Sequence, residues 1–172
     1  MWEPEKDGLT GVPKRSEVFP LFEGGLAQAK ATGTVLTVAL VDLDHFKKLN
    51  DTYGHTAGDD TLVAVARAMV ECAPAGTLVG RYGGEEFILL LPGVEAAQAR
   101  ETLDLMREAV AAVRVPFGTG ADAVELEITL SGGMASYPVS GTTMEDLLHK
   151  ADEALYEAKV QGRNRVVADA AA

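Results

Sequence analysis

Two adjacent carboxylates, Glu85 and Glu86, directly follow two glycines, Gly83 and Gly84, and apolar segments lie on both sides of these four residues. The pattern predicts a β-hairpin with the glycines and acids at its tip, where glycine reaches the positive φ values that tight turns require. Bare backbone also lets a bulky ligand come close. Paired carboxylates are ligands that Mg²⁺ uses while it leaves positions open for a substrate phosphate. The alternative is a polar hairpin tip whose acids are only solvated.

A third acid ends a strand that should be buried. Residues 34–42 form a nearly continuous apolar and β-branched run, which is typical of a central strand covered on both faces. Asp42 and Asp44 follow, and they would share one face if the extended chain continued. An acid at the end of a buried strand seldom helps stability unless a cation lies there, so we assign Asp42 to chemistry. Asp44 fits better as the N-cap of a short helix that begins at His45.

Three further charged residues have both a structural and a chemical interpretation. Asp59 either caps the helix that follows it or binds a ligand. Lys159 and Arg163 lie near the end of a later helix, where they complement its dipole, and they are also the bases that an acidic phosphate site needs.

A calcium loop is excluded, because Phe46 and Lys47 stand where an EF-hand needs an oxygen ligand and a glycine. A dinucleotide-binding glycine signature and a Walker P-loop are also absent from the sequence.

The composition bounds the class of protein. The chain has 172 residues, of which 47% are hydrophobic and 24% charged, as in one folded domain of a soluble protein. A single cysteine, Cys72, forms no internal disulfide, which agrees with a reducing compartment. The net charge of −11 disfavours binding to nucleic acid or to an anionic membrane, so phosphates would need metal ions or a few placed bases. No signal peptide or bilayer-crossing run is seen, and we expect a cytoplasmic location, with a membrane-anchored parent protein left open.

The elements that must position these residues follow from the apolar periodicities. Thr143 is expected to cap the last helix, and residues 116–123 to form a loop. The predicted helices cover 14–31, 45–51, a segment that opens at Gly58, 95–114 and 143–161. The predicted strands cover 34–42, 77–80, 87–91, 124–130 with a continuation through 131–135, and 164–167. This order allows a compact mixed sheet with helices packed over it.

Four motifs now resemble those of one family, the GGDEF domain, which is the catalytic domain of diguanylate cyclases. They span nearly the whole chain in the family's order. The motifs are DGLTG (7–11), DLDHFKKLND (42–51) followed by GH (54–55) and GD (58–59), GGEEF (83–87), and ALYEAK (154–159) followed by GRN (162–164). The resemblance implies a GGDEF domain over residues 7–168, a linker or tag-like end at 1–6 and a disordered tail at 169–172.

The resemblance also implies a fold and an activity. The fold is α/β (α+β), a central five-stranded mixed sheet surrounded by helices and related to the palm-like core of nucleotidyl cyclases. The family condenses two GTP molecules into cyclic di-GMP with release of two pyrophosphates, using Mg²⁺ or Mn²⁺, two ions per active half-site. One domain holds one GTP, so a homodimer is needed and the monomer is expected to be inactive. An upstream sensor or receiver domain is expected in the full-length protein, with no nucleic acid and no direct membrane contact.

Matching the motifs residue by residue implies roles for the site. Glu85 or Glu86 would be catalytic and take part in activating the ribose 3′-hydroxyl, and the sequence leaves the choice open. A carboxylate such as that of Asp59 can accept from guanine N1–H and N2–H₂ together, a pair that adenine lacks. The implied ligands are Asp42, Glu85 and the Leu43 carbonyl for the metal, Asn50 and Asp59 for guanine, and Lys47, Gly83, Gly84, Lys159 and Arg163 for the triphosphate.

One stretch departs from the family's pattern. Many members carry Arg-x-x-Asp shortly before the Gly-Gly motif as a product-binding inhibitory site, whereas residues 74–77 here read Pro-Ala-Gly-Thr. Inhibition through that site should therefore be missing. Two other functions are less favoured. The intact motifs argue against a noncatalytic GTP- or nucleotide-binding GGDEF signalling module, and Asn50 and Asp59 disfavour another nucleotidyl cyclase.

Overall fold

A computed structural model describes residues 3–172, and within that range the chain forms five α-helices and seven strands. The helices are α1 (Arg15–Thr32), α2 (Phe46–Tyr53), α3 (His55–Cys72), α4 (Ala96–Ala111) and α5 (Met144–Val160). The strands are β1 (Leu36–Leu43), β2 (Leu78–Arg81), β3 (Glu86–Pro92), β4 (Val115–Phe117), β5 (Val124–Leu126), β6 (Leu130–Tyr137) and β7 (Val166–Ala168).

Five strands form one mixed sheet in the order β2-β3-β1-β6-β7. The central strand β1 runs antiparallel to β3 and to β6, and β7 runs parallel to β6. The fold class implied by the motifs, a five-stranded mixed sheet surrounded by helices, is therefore confirmed. In this register Asp42 lies opposite Glu86 on one side and opposite Ser131 on the other.

Helices cover both faces of the sheet, which explains why β1 is apolar on both faces from Val38 to Val41. Ala39 and Val41 join a core with α3 and α4, while Val38 and Leu40 join a second core with α1 and α5. Helix α5 lies very close to β6 at Gly133, where an added Cβ would stand 2.2 Å from backbone atoms of α5. Only a residue without a side chain allows that approach.

Both capping predictions near the site are wrong. Helix α2 begins after His45, whose φ of 56° is left-handed, and no side chain caps it, so Asp44 is not the N-cap. Helix α3 begins at His55 and not at Gly58, which places Asp59 inside the helix. The two helices follow each other directly through Gly54, whose φ of 96° suits glycine at this sharp corner. At α5 the prediction is confirmed, since Thr143 accepts a hydrogen bond from the Asp146 N–H.

The predicted strand over residues 124–130 divides in two. Its first part, β5, pairs with β4 in a separate two-stranded ribbon. Strand β4 includes residues 116 and 117, which had been predicted as the start of a loop. Its last residue, Leu130, opens β6 in the main sheet. Alternation correctly indicated extended chain with one wet face, but it carries no information on which partner strand each half would meet. No helix among residues 3–172 is both long enough and apolar enough to span a bilayer.

Candidate active site

The predicted acids meet where the end of β1 passes the tip of the β2–β3 hairpin. Asp42 faces Glu86 across the two strands, and the Leu43 N–H donates to the Glu85 carbonyl oxygen at 3.2 Å. The pairing of β1 with β3 therefore continues into the hairpin tip. It places Asp42 and Leu43 beside Glu85 and Glu86, although 42 positions of sequence separate Leu43 from Glu85.

Two adjoining cavities open beside these acids, and they share Phe46, Lys47 and Glu85 as walls. The smaller, of about 200 Å³, is lined by Asp42, Leu43, Asp44, His45, Phe46, Lys47, Glu85, Lys159 and Arg163. The other, of about 360 Å³, is lined by Phe46, Lys47, Asn50, Leu62, Arg81, Gly84 and Glu85. Predicted metal and triphosphate residues thus surround one cavity, and a predicted guanine residue lines the next.

Three predicted site residues lie outside the walls of these two cavities. Asp59 is exposed on α3, next to Gly58. Glu86 is half-buried behind the hairpin tip, and a Cβ added to Gly83 would stand 3.0 Å from its Oε1 atom. A ligand that used all the predicted residues would therefore extend from the cavities toward the exposed surface of α3.

A larger cavity of about 550 Å³ lies on the other side of Asp44, between α2 and the segment around β5. Its walls include Lys48, Arg114 and Glu127, of which the last two form an ion pair at 2.8 Å. It contains none of the residues that the motifs assign to metal, guanine or triphosphate. Chemistry and not size therefore identifies the candidate site.

Negative charge is concentrated at the end of β1. Burial first, and then the charges of Asp42 and Glu85, raises the pKa of Glu86 above its ordinary value. One ammonium group partly balances these acids, because Lys159 Nζ lies 2.5 Å from Asp42 Oδ2. The Asp42 side chain is only 15% exposed, so solvent does little to screen it. A divalent cation would relieve the remaining repulsion.

The donor set fits a hard divalent ion that a substrate helps to hold. Two carboxylates, Asp42 and Glu85, and the Leu43 carbonyl supply oxygen only, which suits Mg²⁺ or Mn²⁺. Among residues 3–172 there is no group of three or more His, Cys, Asp or Glu side chains placed to hold a metal ion. These residues would supply only part of a coordination shell, and water and phosphate oxygens would have to supply the rest.

The hairpin tip is closed by hydrogen bonds and not by left-handed glycines. The Tyr82 and Gly83 N–H groups both donate to the Glu86 carbonyl oxygen, at 2.9 and 3.1 Å. Neither Gly83 nor Gly84 has a positive φ, so that part of the prediction is wrong. A Cβ added at Gly84 would meet no atom within 4 Å and would point into space beside the cavity. The fold itself therefore tolerates a side chain at position 84, and a ligand gains the room.

Arg81 holds the hairpin tip to the start of the domain, which the sequence did not indicate. Its guanidinium donates to the carbonyl oxygens of Gly83 at 2.9 Å and Gly84 at 2.6 Å, and to Asp7 Oδ2 at 2.8 Å. Asp7 also accepts from the Thr10 N–H and hydroxyl. We call Asp7 and Arg81 the hairpin clamp. The spacing of Asp7 and Thr10 indicates a local turn, but nothing in it indicates Arg81 as a partner.

Asp44 anchors the turn that carries Arg163. Its carboxylate accepts from the hydroxyls of Thr129 and Ser131, both at 2.6 Å, and from the Asn164 N–H at 3.0 Å. Arg163 and Asn164 have positive φ values of 64° and 47°, a conformation that non-glycine residues adopt only when held there. The acid predicted as a helix cap thus fixes a base at the wall of the smaller cavity.

Asn50 presents an unusual amide. Its Oδ1 atom is buried and has no hydrogen-bond partner among the described residues. The side chain lines the larger of the two site cavities. Buried polar atoms are nearly always paired, so an unpaired atom in a cavity wall calls for an explanation, and a ligand that donates a hydrogen bond to it would supply one.

A five-stranded mixed sheet with acids at the end of its central strand, bases facing them and a Gly-Gly hairpin is the arrangement that the four motifs predict. The sequence model of one family, described as diguanylate cyclase, GGDEF domain, matches residues 5–165. That match covers most of the chain, and the chain therefore belongs to the GGDEF family. The family that the four motifs resemble is confirmed.

Individual relatives agree. Diguanylate cyclase DgcM of Escherichia coli (strain K12) is 38% identical over 162 residues, which are 94% of this chain and 38% of that protein. The GGDEF domain of DgcB from Caulobacter crescentus, solved in complex with c-di-GMP, has a TM-score of 0.87 and 33% identity over 98% of both chains. Diguanylate cyclase SiaD from Pseudomonas aeruginosa, solved with its activator SiaC, has a TM-score of 0.88 and 36% identity over 95% of this chain and 61% of that one. The chain spans well under half the length of the curated relatives it matches.

Proposed function

We propose that this chain is the catalytic domain of a diguanylate cyclase that condenses two GTP molecules into cyclic di-GMP. The observation that supports it best is the common cavity of the acids Asp42 and Glu85 and the bases Lys47, Lys159 and Arg163. Acids and bases in the walls of one cavity suit a triphosphate and its metal ion. A hairpin tip whose acids are only solvated would not need bases facing those acids.

In each half-reaction a ribose 3′-oxygen forms a bond to the α-phosphorus of the other nucleotide, and the bond to pyrophosphate breaks. Lys47, Lys159 and Arg163 bind the triphosphate and stabilise the negative charge that grows on the leaving pyrophosphate. Asp42, Glu85 and the Leu43 carbonyl would hold Mg²⁺ or Mn²⁺, at two ions per half-site, and the ions would supply neutralisation of the negative charge that develops during the reaction. Gly84 and Gly83 leave the hairpin backbone open to the triphosphate.

The proton of the 3′-hydroxyl must pass to a base, and two carboxylates are candidates. Glu85 lines both site cavities, and Glu86 has a raised pKa, which suits a proton acceptor. Comparing Glu85→Gln with Glu86→Gln separates the two. The base is the residue whose loss lowers kcat while a nucleotide still binds with its metal ion.

Guanine recognition is assigned to Asn50 and Asp59. Asn50 lines the cavity next to the phosphate residues, and Asp59 is exposed on α3, one position after Gly58. The Asp59 carboxylate accepts from N1–H and N2–H₂ of guanine, and an adenine ring would leave it unpaired. ATP turnover comparable to GTP turnover would contradict this assignment.

Two copies of the domain are needed, because the product contains two new bonds and each copy supplies one nucleotide. A two-fold axis that brings two sites face to face meets this requirement. The proposal extends to a cytoplasmic location and to an upstream sensor or receiver domain that controls the pairing. SiaD, a structural relative, was solved with an activator, which supports control by a partner.

The test is cyclic di-GMP formation from GTP and Mg²⁺ as a function of protein concentration. Specific activity should rise with concentration and approach a plateau, and a fusion to a dimeric coiled coil should reach that plateau when dilute. Glu85→Ala should abolish product in both formats. GTP binding without product, even in the dimeric fusion, would overturn the proposal in favour of a noncatalytic nucleotide-binding module.

A further inference from the structure

Gly58 lies buried in α3, at the point where this helix meets the side chain of Asn50 from α2. A Cβ added to Gly58 would stand 1.7 Å from Asn50 Oδ1 and 2.8 Å from Asn50 Cγ. No real Cβ tolerates such distances, so any other residue at position 58 must displace the amide. Phe46 Cζ, at 3.2 Å from the same point, limits movement on that side.

The backbone does not require glycine here. Gly58 has no positive φ, and its N–H donates to the Gly54 carbonyl oxygen in the ordinary helical pattern. Glycine disfavours a helix relative to alanine, so α3 by itself would be more stable with alanine at this position. The missing side chain therefore serves the neighbouring residue, and that neighbour is the one whose buried amide oxygen has no partner among residues 3–172.

We infer that Gly58 is a positioning residue for nucleobase recognition, because the absence of its Cβ sets how deep the Asn50 amide lies in the wall of the 360 Å³ cavity. A residue with a side chain at 58 pushes the amide toward the cavity and takes space from the base. The nature of the base, guanine, rests on the proposed function. The dependence of Asn50 on Gly58 does not, since it follows from the packing of α2 against α3.

Thermal unfolding of four proteins tests the packing: wild type, Gly58→Ala, Asn50→Ala and the double variant. Gly58→Ala in the wild-type background should lower Tm by about 3–8 °C through overlap with Asn50. In the Asn50→Ala background the same change should raise Tm by about 1–3 °C, because only the gain in helix propensity remains. Gly24→Ala is the matched control, since its added Cβ meets no atom within 4 Å in α1 and should raise Tm in either background.

Kinetics of the same proteins test recognition. Gly58→Ala should raise the KM for GTP about tenfold with kcat changed less than about threefold, and should narrow the preference for GTP over inosine triphosphate, which lacks the 2-amino group. The double variant should be no worse than Asn50→Ala alone. Gly24→Ala should leave both constants unchanged.

The outcomes separate the two proposals. If no protein turns over GTP, the proposed function fails while the reversal of the Tm effect still decides the role of Gly58. If the wild type makes cyclic di-GMP but Gly58→Ala changes Tm and KM equally in both backgrounds, this inference is overturned. If Gly58→Ala alone does not fold and the double variant does, the inference is supported. If neither folds, Gly58 serves the packing of α3 itself, and the inference is overturned.

Discussion

Glu86 is a single residue of the site whose ionised side chain lowers the free energy of unfolding. It is half-buried beside Asp42 and Glu85, and burial together with these charges raises its pKa above the ordinary value of 4.5. A raised pKa means that the folded state disfavours the ionised form. The cost of ionising Glu86 is therefore absent below about pH 4. The free energy of unfolding falls by this cost as the pH rises through the folded-state pKa of Glu86.

Glu86→Gln should therefore stabilise the metal-free protein in a pH-dependent way. We expect a Tm higher than wild type by about 1–3 °C at pH 8 and equal to it near pH 4, the gain being small because solvent screens the half-exposed group. Calorimetry across this range measures the difference. Glu101→Gln on the exposed face of α4 controls for the loss of one charge. A stability gain that grows as the pH falls would contradict the prediction.

Loss of the Lys159 ammonium group should strengthen the binding of a metal ion and weaken the binding of GTP. Lys159→Met frees the Asp42 carboxylate from its 2.5 Å ion pair, so the nucleotide-free protein should bind Mn²⁺ about threefold more tightly. The KM for GTP should rise about tenfold, because a charge-assisted contact to phosphate is lost. Electron paramagnetic resonance of free Mn²⁺ gives the first quantity and steady-state kinetics the second.

The control is Lys48→Met, which removes the same charge from an exposed residue outside this ion pair. It should leave Mn²⁺ binding within error of wild type. Weaker Mn²⁺ binding by Lys159→Met would mean that the lysine orients Asp42 for the ion and does not compete with it.

The positions of site residues could be predicted from the sequence where the pattern that indicates them lies in neighbouring residues. The buried run before Asp42 and the Gly-Gly-acid tip are visible in neighbouring residues, and the strands form where those patterns indicate. The roles of Asp44 and Arg81 were not predictable, because their partners lie 87 and 74 positions away. Asp44 also satisfies the residue preference of an N-cap, so the local interpretation was chemically sound and the distant contacts of β6 prevailed.

At the scale of elements, the hairpin clamp connects the first turn of the domain to the tip of the β2–β3 hairpin. Arg81 and Asp7 have side chains that are 16% and 23% exposed, so their ion pair is better shielded than a surface pair. Burial alone would raise the pKa of Asp7, but hydrogen bonds from Thr10 and the charge of Arg81 lower it on balance. Its contribution to stability is present above pH 3.8 and is lost as the pH falls through the lower folded-state value.

Asp7→Ala should therefore lower Tm by about 3–6 °C at pH 7, and by less and less as the pH falls below 3.8 through the folded-state pKa of Asp7. Amide hydrogen exchange should accelerate at Tyr82 and Gly83, whose N–H groups close the hairpin tip. Glu5→Gln is the control, because the Glu5–Lys14 ion pair lies on the surface nearby and contributes little. Unchanged exchange at the hairpin tip would show that Arg81 holds the two glycine carbonyls without help from Asp7.

At the scale of the whole molecule, the segment between α3 and β2 leads to a prediction about inhibition by the product. Residues 74–77 contain neither the arginine nor the aspartate of the family's inhibitory motif. We expect initial rates to be unaffected by added cyclic di-GMP, apart from competition at the active site. Noncompetitive inhibition at low micromolar product would contradict this. The double variant Pro74→Arg/Thr77→Asp restores the motif and provides the positive control.

The close approach of α5 to β6 at Gly133 has a kinetic consequence. Lys159 belongs to that helix and Asp42 to the neighbouring strand, so both sit on one rigid framework. In the proposed function, the Lys159 ammonium group would then move from the carboxylate to an arriving phosphate by rotation about side-chain bonds alone, which takes picoseconds to nanoseconds. Loading of the site should accordingly be as fast as diffusion delivers the nucleotide, and the slow event in turnover should be the meeting of two loaded copies.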